Sequence, residues 1–555
     1  MSWMDRLADE VEQQAPAAIA CTVVCASGIS PSGPIHMGNL REVFTTHLVA
    51  EALRRRGNTV VHLHSWDDYD RLRKVPAGVD SAFEEYVGSP LSAVPDPWGE
   101  RQSFAEHFIA EFTSALSMLG IEMRQVRQSE LYSSGVYNAA IRRAMDYRET
   151  VFDILSAQQT PGRHDKPIEQ RRAEYFPFRP YCETCGRDTT VVVSYTTQIL
   201  CYSCHCGHVG TMSLADSAPI SGKLVWKVDW PMRWAHEGVA FEPAGEDHHA
   251  PTGSFTVGRE LVKSLYDASA PSSVVYSFVG MAGASGKMSG SVGGAAIPST
   301  ALDVLEPAIV RWLYARRNPS QSFSIDLGPQ AVQRLYDEWD HFLSATDGAE
   351  ADPVDAEIRS LCLTTSAGDV VTSPRPVSFR LLASAADITQ ANTDQIARIV
   401  ADHLDHHHGI PAANQLLREL EPRLGCAINW ATRLLAPEER TRIVSEFSSD
   451  TWRALDEGTQ HGMHLLAARL ADAWTLERLT GLVYGVPKVL LGLTWDAAPS
   501  PALKKAQRTF FKAVYRLLCG SETGPRLPTL LLSIGLERSR DLLIGNTTDP
   551  LIEDV

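Results

Sequence analysis

The sequence predicts an α/β protein with a parallel-sheet domain, a cysteine-rich insertion and an all-helical C-terminal domain. Three observations lead to this prediction. Near the N-terminus, an apolar strand, a loop, a helical stretch and a second strand follow one another, an order typical of a βαβ unit. Five cysteines fall within residues 182–206. Beyond about residue 345, apolar residues recur with helical spacing and strand patterns become rare.

The elements of the parallel sheet follow from hydrophobic patterning. Residues 19–26 form an apolar run that predicts the first strand, and residues 40–56 carry apolar side chains at helical spacing. Residues 59–66 ("TVVHLHSW") predict a second, buried strand. Strand-like runs return at 223–231 and 272–280, so we expect the sheet to resume after the insertion.

The composition is typical of a folded protein, and the length of the chain predicts several domains. Of 555 residues, 44% are apolar or aromatic and 21% are charged, with a formal net charge of −16, values typical of globular proteins. No secretory signal or long apolar run is recognisable, so we expect a cytoplasmic protein with no membrane partner. The acidic balance argues weakly against a polyanionic partner, although local basic clusters such as 54–56 and 504–508 could form a positive stripe.

The loop after the first predicted strand, "SGISPSGPIHMGNLR" (27–41), predicts a phosphate site. It leads into a helix N-terminus, where free N–H groups and the helix dipole favour an anion, yet it matches neither a Walker loop nor a dinucleotide-binding loop. His36 and Asn39 are three residues apart, so one helical turn would point both toward phosphoryl oxygens. A merely capped turn is the alternative. Four small residues would let a ligand approach the backbone: Gly28, Ser30, Ser32 and Gly33.

A second glycine-rich loop, "GKMSGS" (286–291), supplies the complementary pattern. Lys287 is flanked by hydroxyls and flexible backbone, which suits a loop that closes over a triphosphate and neutralises its charge. Lys-Met-Ser alone is common. The two motifs together, in this order along the chain, are far less common than Lys-Met-Ser alone and therefore indicate a shared site.

These two motifs resemble the signatures His-Ile-Gly-His and Lys-Met-Ser-Lys-Ser of the class I aminoacyl-tRNA synthetases, here present as "HMGN" and "KMSGS". More narrowly, the chain resembles the archaeal-type class I lysyl-tRNA synthetases over nearly its whole length. The further segments that carry this resemblance are "SWDDYDRLRKVP", "VPDPWG", "FEPAGEDHH", "LYDEWD" and "GPRLPTLLLSIG".

The resemblance implies a fold and a domain order. The fold would be a class I Rossmann-type parallel-sheet catalytic domain with a zinc-ribbon insertion, plus the all-helical C-terminal domain. The implied divisions are the first catalytic half at 1–85, the insertion at 86–222 with its ribbon at about 180–210, the second catalytic half at 223–285, the Lys-Met-Ser loop and stem-contact region at 286–345, and an anticodon-binding domain at 346–555.

The resemblance also implies an activity: ATP-dependent attachment of L-lysine to tRNA(Lys) through a lysyl-adenylate, with Mg²⁺ accompanying the ATP and no covalent enzyme intermediate. The implied catalytic residues are His36, Asn39, Lys287 and Ser289. The implied ATP-binding residues are Pro31, Ser32, Gly33, His36, Gly38, Asn39, Lys287, Met288 and Ser289. The implied lysine-binding residues are Gly28, Ser30, Trp230, His248 and Tyr276, where an ammonium over an aromatic ring would form a cation–π contact.

Three positions depart from the family pattern, namely Ser30 for the usual Thr, Gly290 after "KMS", and Ser277 for an acidic residue. They keep two alternatives open: a paralogue that transfers lysine or an analogue to an acceptor other than tRNA, and a non-catalytic RNA-binding protein. The intact His36 and Lys287 argue against the second, and the full-length helical domain argues against the first. The expected oligomeric state is a monomer. Asp67 and Asp68 are equally compatible with a site role and with a structural turn.

The segment "CETCGRDTTVVVSYTTQILCYSCHCGHVG" predicts a zinc ribbon. Cys182 and Cys185 form one knuckle of a tetrahedral site. Two positions remain, and the residues alone leave four candidates for them: Cys201, Cys204, Cys206 and His208. Resemblance to the family favours Cys204 and Cys206, with Cys201 in reserve. A closed four-cysteine site would be structural, ordering an insertion that can touch the acceptor stem.

In the C-terminal third, "RTFFKAVYR" (508–516) combines basic and aromatic residues that could contact RNA. The favoured prediction is instead an amphipathic helix that buries Phe510, Val514 and Leu517.

Overall fold

The computed structural model describes residues 1–14, 22–157, 166–215, 220–282, 296–348, 350–375, 377–404 and 412–549. These residues form two compact units. The first comprises Met1–Leu302, Pro307–Leu327 and Leu343–Val371, and the second comprises Asp303–Glu306, Gly328–Phe342 and the chain from Thr372 onward.

The first part of the chain alternates helices and strands. Its elements are α1 (Trp3–Gln14), β1 (Val23–Ile29), α2 (Leu40–Arg55), β2 (Val60–Trp66), α3 (Phe104–Met118), β3 (Arg124–Arg127), α4 (Gln128–Ser133), α5 (Asn138–Asp146), α6 (Arg148–Ala157), α7 (Ile168–Ala173), β4 (Phe178–Pro180), β5 (Thr190–Thr196), β6 (Ile199–Cys204), β7 (Val209–Ser213), β8 (Gly222–Leu224), α8 (Trp226–Glu237), β9 (Val239–Phe241), β10 (Ala244–Gly245), α9 (Glu246–His249), α10 (Ser254–Tyr266), β11 (Val275–Tyr276), β12 (Val279–Met281), α11 (Pro298–Leu302), α12 (Pro307–Ala315) and β13 (Phe323–Ile325).

The remainder is almost entirely helical, as predicted. Its elements are α13 (Pro329–Ala345), α14 (Pro353–Leu363), β14 (Thr364–Thr365), β15 (Gly368–Asp369), α15 (Phe379–Ile388), α16 (Thr393–Leu404), α17 (Ala413–Leu420), α18 (Arg423–Asn429), α19 (Ser449–Arg453), α20 (Glu457–Arg469), α21 (Leu476–Leu490), α22 (Pro501–Cys519), α23 (Leu527–Ile534) and α24 (Leu536–Ile544).

A parallel four-stranded sheet with the order β3-β2-β1-β9 forms the centre of the first unit, which confirms the predicted parallel sheet. β1 and β2 pair in register from Val23 opposite Val60 to Ile29 opposite Trp66. α2 crosses between them and packs on both strands and on α1 and α12. It is buried along nearly its whole length, because other elements cover it on several sides. The carboxyl ends of the parallel strands therefore share one edge, beside the start of α2.

The prediction of a strand at 223–231 is wrong. Only Gly222–Leu224 is extended, and it pairs with β4 rather than with the central sheet. Helix α8 begins at Trp226. The alternating apolar residues also fit a helix, because Trp226, Trp230 and Trp234 recur at intervals of four; neighbouring rings in this row lie 5.0 and 5.1 Å apart. The sheet resumes one element later, with β9.

The insertion contains a small antiparallel sheet, β5-β6-β7. β6 pairs with β5 on one side and with β7 on the other. The cysteines of the predicted ribbon lie in and beside this sheet: Cys182 and Cys185 precede β5, Cys201 and Cys204 lie in β6, and Cys206 follows β6.

The second unit packs its helices around an apolar core. Phe510, Val514 and Leu517 of α22 belong to that core, which confirms the predicted amphipathic helix. Arg423 is also buried and pairs with Glu306 at 2.5 Å and with Asp340 at 2.8 Å, so its charge is balanced inside the unit.

Within the described ranges, no helix combines the length and the apolar character needed to cross a membrane.

Candidate functional site

The first motif forms a tight turn at the carboxyl edge of the sheet. His36 precedes one turn of 3₁₀-helix, Met37–Asn39, which runs directly into α2. The Asn39 side-chain oxygen accepts the backbone N–H of His36 at 3.1 Å. His36 and Asn39 therefore lie on one turn, as the spacing predicted. The other predicted ATP-binding positions of this motif lie in the same loop and turn: Pro31, Ser32, Gly33 and Gly38.

The second motif, with Lys287, Met288, Ser289 and Gly290, lies in 283–295, outside the described residues. Its described flanks lie beside the first motif. β12, on the N-terminal side, contacts the Met37–Asn39 turn, and Ala296, on the C-terminal side, accepts a hydrogen bond from the Met37 N–H at 2.9 Å. The described residues on both sides of the second motif therefore lie next to the first motif.

A cavity of about 120 Å³ opens between β1, β2, α2, α8 and β11. Four of the five residues predicted to bind lysine line it: Gly28, Trp230, His248 and Tyr276. Ser30 follows β1 directly and is half-buried, but it is not among the lining residues. The rings of Trp230 and His248 meet edge to face at 5.3 Å, which gives the cavity an aromatic wall.

Three glutamates that the sequence analysis did not select also line this cavity, and one of them, Glu237, forms an ion pair with Arg124. Glu42, in the first turn of α2, accepts the Gly28 N–H at 2.7 Å and the Tyr276 hydroxyl at 2.8 Å. Glu242 accepts the Trp234 indole N–H at 2.6 Å. All of these donors are neutral, and no basic side chain of the described chain forms an ion pair with Glu42 or Glu242.

Burial dominates the protonation of both glutamates. It raises the pKa of Glu42 to about 8, although the hydrogen bond from Gly28 acts in the opposite direction. It raises the pKa of Glu242 to about 7. A buried carboxylate without a counter-ion is costly, so this cavity favours either a protonated carboxyl group or a bound cation.

An ion cluster borders the cavity. Arg233 pairs with Asp67 at 2.6 Å and also contacts Asp229. Lys223 lies 3.6 Å from Asp67 and from Asp229 and pairs closely with Asp70. Burial alone would raise the pKa of Asp67, but Arg233 and Lys223 hold it below its usual range. Asp67 thus lines the cavity as a charge already matched by cations.

Two further positions singled out in the sequence have structural partners. Asp68 accepts the backbone N–H of Ser129 at 2.9 Å, as expected of a turn acid. The Ser277 hydroxyl lies within hydrogen-bonding distance of Glu246 and of the backbone oxygen of Ser320, and it can donate its one proton to either acceptor.

The four cysteines favoured for zinc lie together. The Sγ atoms of Cys182, Cys185, Cys204 and Cys206 all fall within 4.8 Å of one another. Cys182 and Cys206 are 3.7 Å apart, as are Cys185 and Cys204. Four thiolates around one Zn²⁺, each at about 2.3 Å, would be separated by about 3.8 Å. The arrangement is compatible with a closed, structural zinc site.

The other two candidate zinc ligands, Cys201 and His208, lie outside this cluster. Cys201 is inside β6, opposite Thr211 of β7, and His208 lies 2.7 Å from Glu183. Each cysteine pair of the cluster is followed by a glycine with positive φ, Gly186 (69°) and Gly207 (90°), a conformation that lets the chain turn sharply around a metal.

Comparisons with known proteins agree with the geometry. The profile of the family described as "tRNA synthetases class I (K)" matches residues 1–361. A lysine–tRNA ligase from Streptomyces coelicolor is 44% identical over 98% of both chains. A lysine–tRNA ligase from Pyrococcus horikoshii is 33% identical, covering 96% of this chain and 97% of the relative. One from Treponema pallidum is 31% identical over 98% of both.

Replacement of one cluster cysteine tests the metal site. We expect Cys182→Ser to abolish binding of about one zinc ion per chain and to destabilise the insertion, because a structural site needs all four thiolates. Cys201→Ser is the matched control and should retain the metal. Metal analysis of the purified proteins measures both. Retention of one zinc ion by Cys182→Ser would contradict the assignment.

Proposed function

Since the chain belongs to the class I lysyl-tRNA synthetase family, we propose that it attaches L-lysine to tRNA(Lys) in an ATP-dependent reaction that proceeds through a lysyl-adenylate. The observation that carries the choice of amino acid is the pair of glutamates without a counter-ion in the cavity. A cationic side chain is the ligand that would neutralise them, and lysine supplies it.

The proposed position of lysine follows from the hydrogen bonds of Glu42. This carboxylate links Gly28 of β1 to Tyr276 of β11, so an ammonium beside it would also meet the tyrosine ring. Trp230 and His248 would cover the aliphatic part of the side chain. Ser30, one residue past the strand, would lie toward the α-amino and carboxylate groups and the ATP.

In the first step, the lysine carboxylate attacks the α-phosphorus of ATP and pyrophosphate leaves. The protein's contribution would be positioning and charge stabilisation rather than proton abstraction. His36 and Asn39 would hold the phosphates at the N-terminus of α2, and Lys287 and Ser289 would clamp them from the second motif. Mg²⁺ would travel with the triphosphate, as it commonly does, and offset its charge.

In the second step, a terminal ribose hydroxyl of tRNA attacks the activated carbonyl and AMP leaves. We assign the zinc-bearing insertion and the region 286–345 to the acceptor stem, and the helical domain from 346 onward to the anticodon. The proposed working unit is a monomer. The proposed compartment is the cytoplasm, where tRNA is charged.

Two linked assays test the proposal. Lysine-dependent exchange of pyrophosphate into ATP should be robust, and labelled lysine should be transferred to purified tRNA(Lys). Absence of exchange would favour the non-catalytic alternative. Exchange without charging would favour a paralogue that uses another acceptor, and either result would contradict the proposal.

Removing the charge of Glu42 tests the origin of amino-acid selection. We expect Glu42→Gln to lower kcat/KM for lysine in the exchange assay by about 100-fold, since the cation would lose its buried partner. The amide keeps the shape and can still accept the Gly28 N–H, so the loss would report charge. Glu260→Gln, an exposed position on α10, should match the unmodified protein. Unchanged lysine kinetics in Glu42→Gln would refute the role of this carboxylate.

A further inference from the structure

Arg233 is a buried cation in the wall of the cavity that also contains two carboxylates without a counter-ion. Its side chain lines the cavity together with Glu42 and Glu242, and the residue is only 6% exposed. Within the described chain, no ion pair joins it to either glutamate. Opposite charges attract one another strongly where water is excluded, so a feature of the fold must keep Arg233 from neutralising these glutamates.

Two aspartates supply that restraint. Asp67, in the turn after β2, pairs with Arg233 at 2.6 Å, and Asp229, four residues before Arg233 on α8, also contacts it. Another nitrogen of the same guanidinium donates a hydrogen bond to the Ser65 hydroxyl of β2 at 3.1 Å. The guanidinium is therefore held by β2, by the turn after it and by its own helix.

The restrained guanidinium still lies close to Glu242. Burial raises the pKa of Glu242 to about 7, and the charge of Arg233 acts in the opposite direction. Trp234, which donates its indole N–H to Glu242 at 2.6 Å, directly follows Arg233 on α8. Arg233 is thus near enough to act on Glu242 through space, although its ion pairs are with Asp67 and Asp229.

The cluster around Arg233 contains more carboxylates than cations. Asp67, Asp70 and Asp229 face only Lys223 and Arg233. This surplus of negative charge favours retention of Arg233 inside the cluster, because a move into the cavity would leave all three carboxylates with Lys223 alone.

We propose that Asp67 is a positioning residue that determines specificity for a cationic substrate: by holding Arg233, it keeps Glu42 and Glu242 available to the lysine ammonium. This inference rests on the proposed function, since that function places lysine in the cavity. An arginine released from Asp67 would be an internal competitor that pairs with Glu242 in place of the substrate. Asp67 itself would not bind the ammonium, because Arg233 and Lys223 already balance its charge.

Asp67→Asn tests the restraint in lysine-dependent pyrophosphate–ATP exchange. The amide keeps the shape of the side chain but lacks the charge that holds Arg233. We expect KM for lysine to rise about tenfold, as it would if only about one tenth of the molecules kept Arg233 away from Glu242. The values of kcat and of KM for ATP should stay within about twofold, because the competitor acts on lysine binding alone.

Removal of the competitor should reverse the defect. The double variant Asp67→Asn/Arg233→Gln loses one negative and one positive charge, so the charge balance of the cluster is unchanged. Its KM for lysine should return to within about threefold of the unmodified value.

Asp70→Asn is the matched control. It removes another carboxylate of the same turn and the same cluster. Within the described chain, however, Asp70 pairs with Lys223 rather than with Arg233, and it does not line the cavity. KM for lysine should therefore not change.

Each outcome decides the role of Asp67. A raised KM that persists in the double variant would mean that Asp67 binds the ammonium directly, and an unchanged KM in Asp67→Asn would mean that it is only structural; either result overturns the inference. If Asp67→Asn does not fold, Arg233→Lys replaces it, because a point charge cannot bridge Asp67 and Asp229 as the planar guanidinium does. KM for lysine should again rise, and an unchanged value would overturn the inference. Absence of lysine-dependent exchange in the unmodified protein would instead refute the proposed function.

Discussion

The carboxylate of Glu42 connects the parts of the first unit on which the cavity depends. It joins α2 to the C-terminal end of β1 through the Gly28 N–H and to β11 through the Tyr276 hydroxyl. The same helix begins at the His36–Asn39 turn. Phosphate binding at the helix N-terminus and cation binding beside Glu42 would thus depend on the same few residues. A shift of α2 would disturb both.

The cost of burying Glu42 and Glu242 would make the cavity selective for a cationic ligand. Burial of two neighbouring carboxylates disfavours their ionisation and raises the pKa of both, although the charge of Arg233 partly offsets this effect at Glu242. A neutral amino acid would leave this cost unrelieved, whereas a lysine ammonium would offset it. The neighbouring Asp67 differs because Arg233 and Lys223 already balance it, so it cannot serve the same purpose.

Much of this arrangement could be predicted from the sequence, and the omissions have physical reasons. The βαβ unit and the turn of the first motif were predictable because periodicity and small residues specify them locally. Glu42 was missed because an acid in the first turn of a helix usually just complements the helix dipole. The segment around Trp230 was predicted as a strand because its apolar residues fit both periods, whereas in the structure they form one side of a helix on which neighbouring tryptophan rings contact one another. Cys201 stayed a candidate because strand register was unknown: three positions from Cys204, it faces the other side of β6.

Proton release on lysine binding is the most direct test of the central claim that buried, uncompensated carboxylates select the cation. At pH 7 the pKa values of about 8 and about 7 leave Glu42 and Glu242 largely or partly protonated, and a bound ammonium would favour their ionised forms. Titration calorimetry with lysine in phosphate and in Tris buffer, which take up protons with different heats, counts the protons released. We predict release of about one proton at pH 7, falling toward zero at about pH 9, where both carboxylates are already ionised, and an affinity that rises across the same interval. A binding heat at pH 7 that is the same in both buffers would contradict the account.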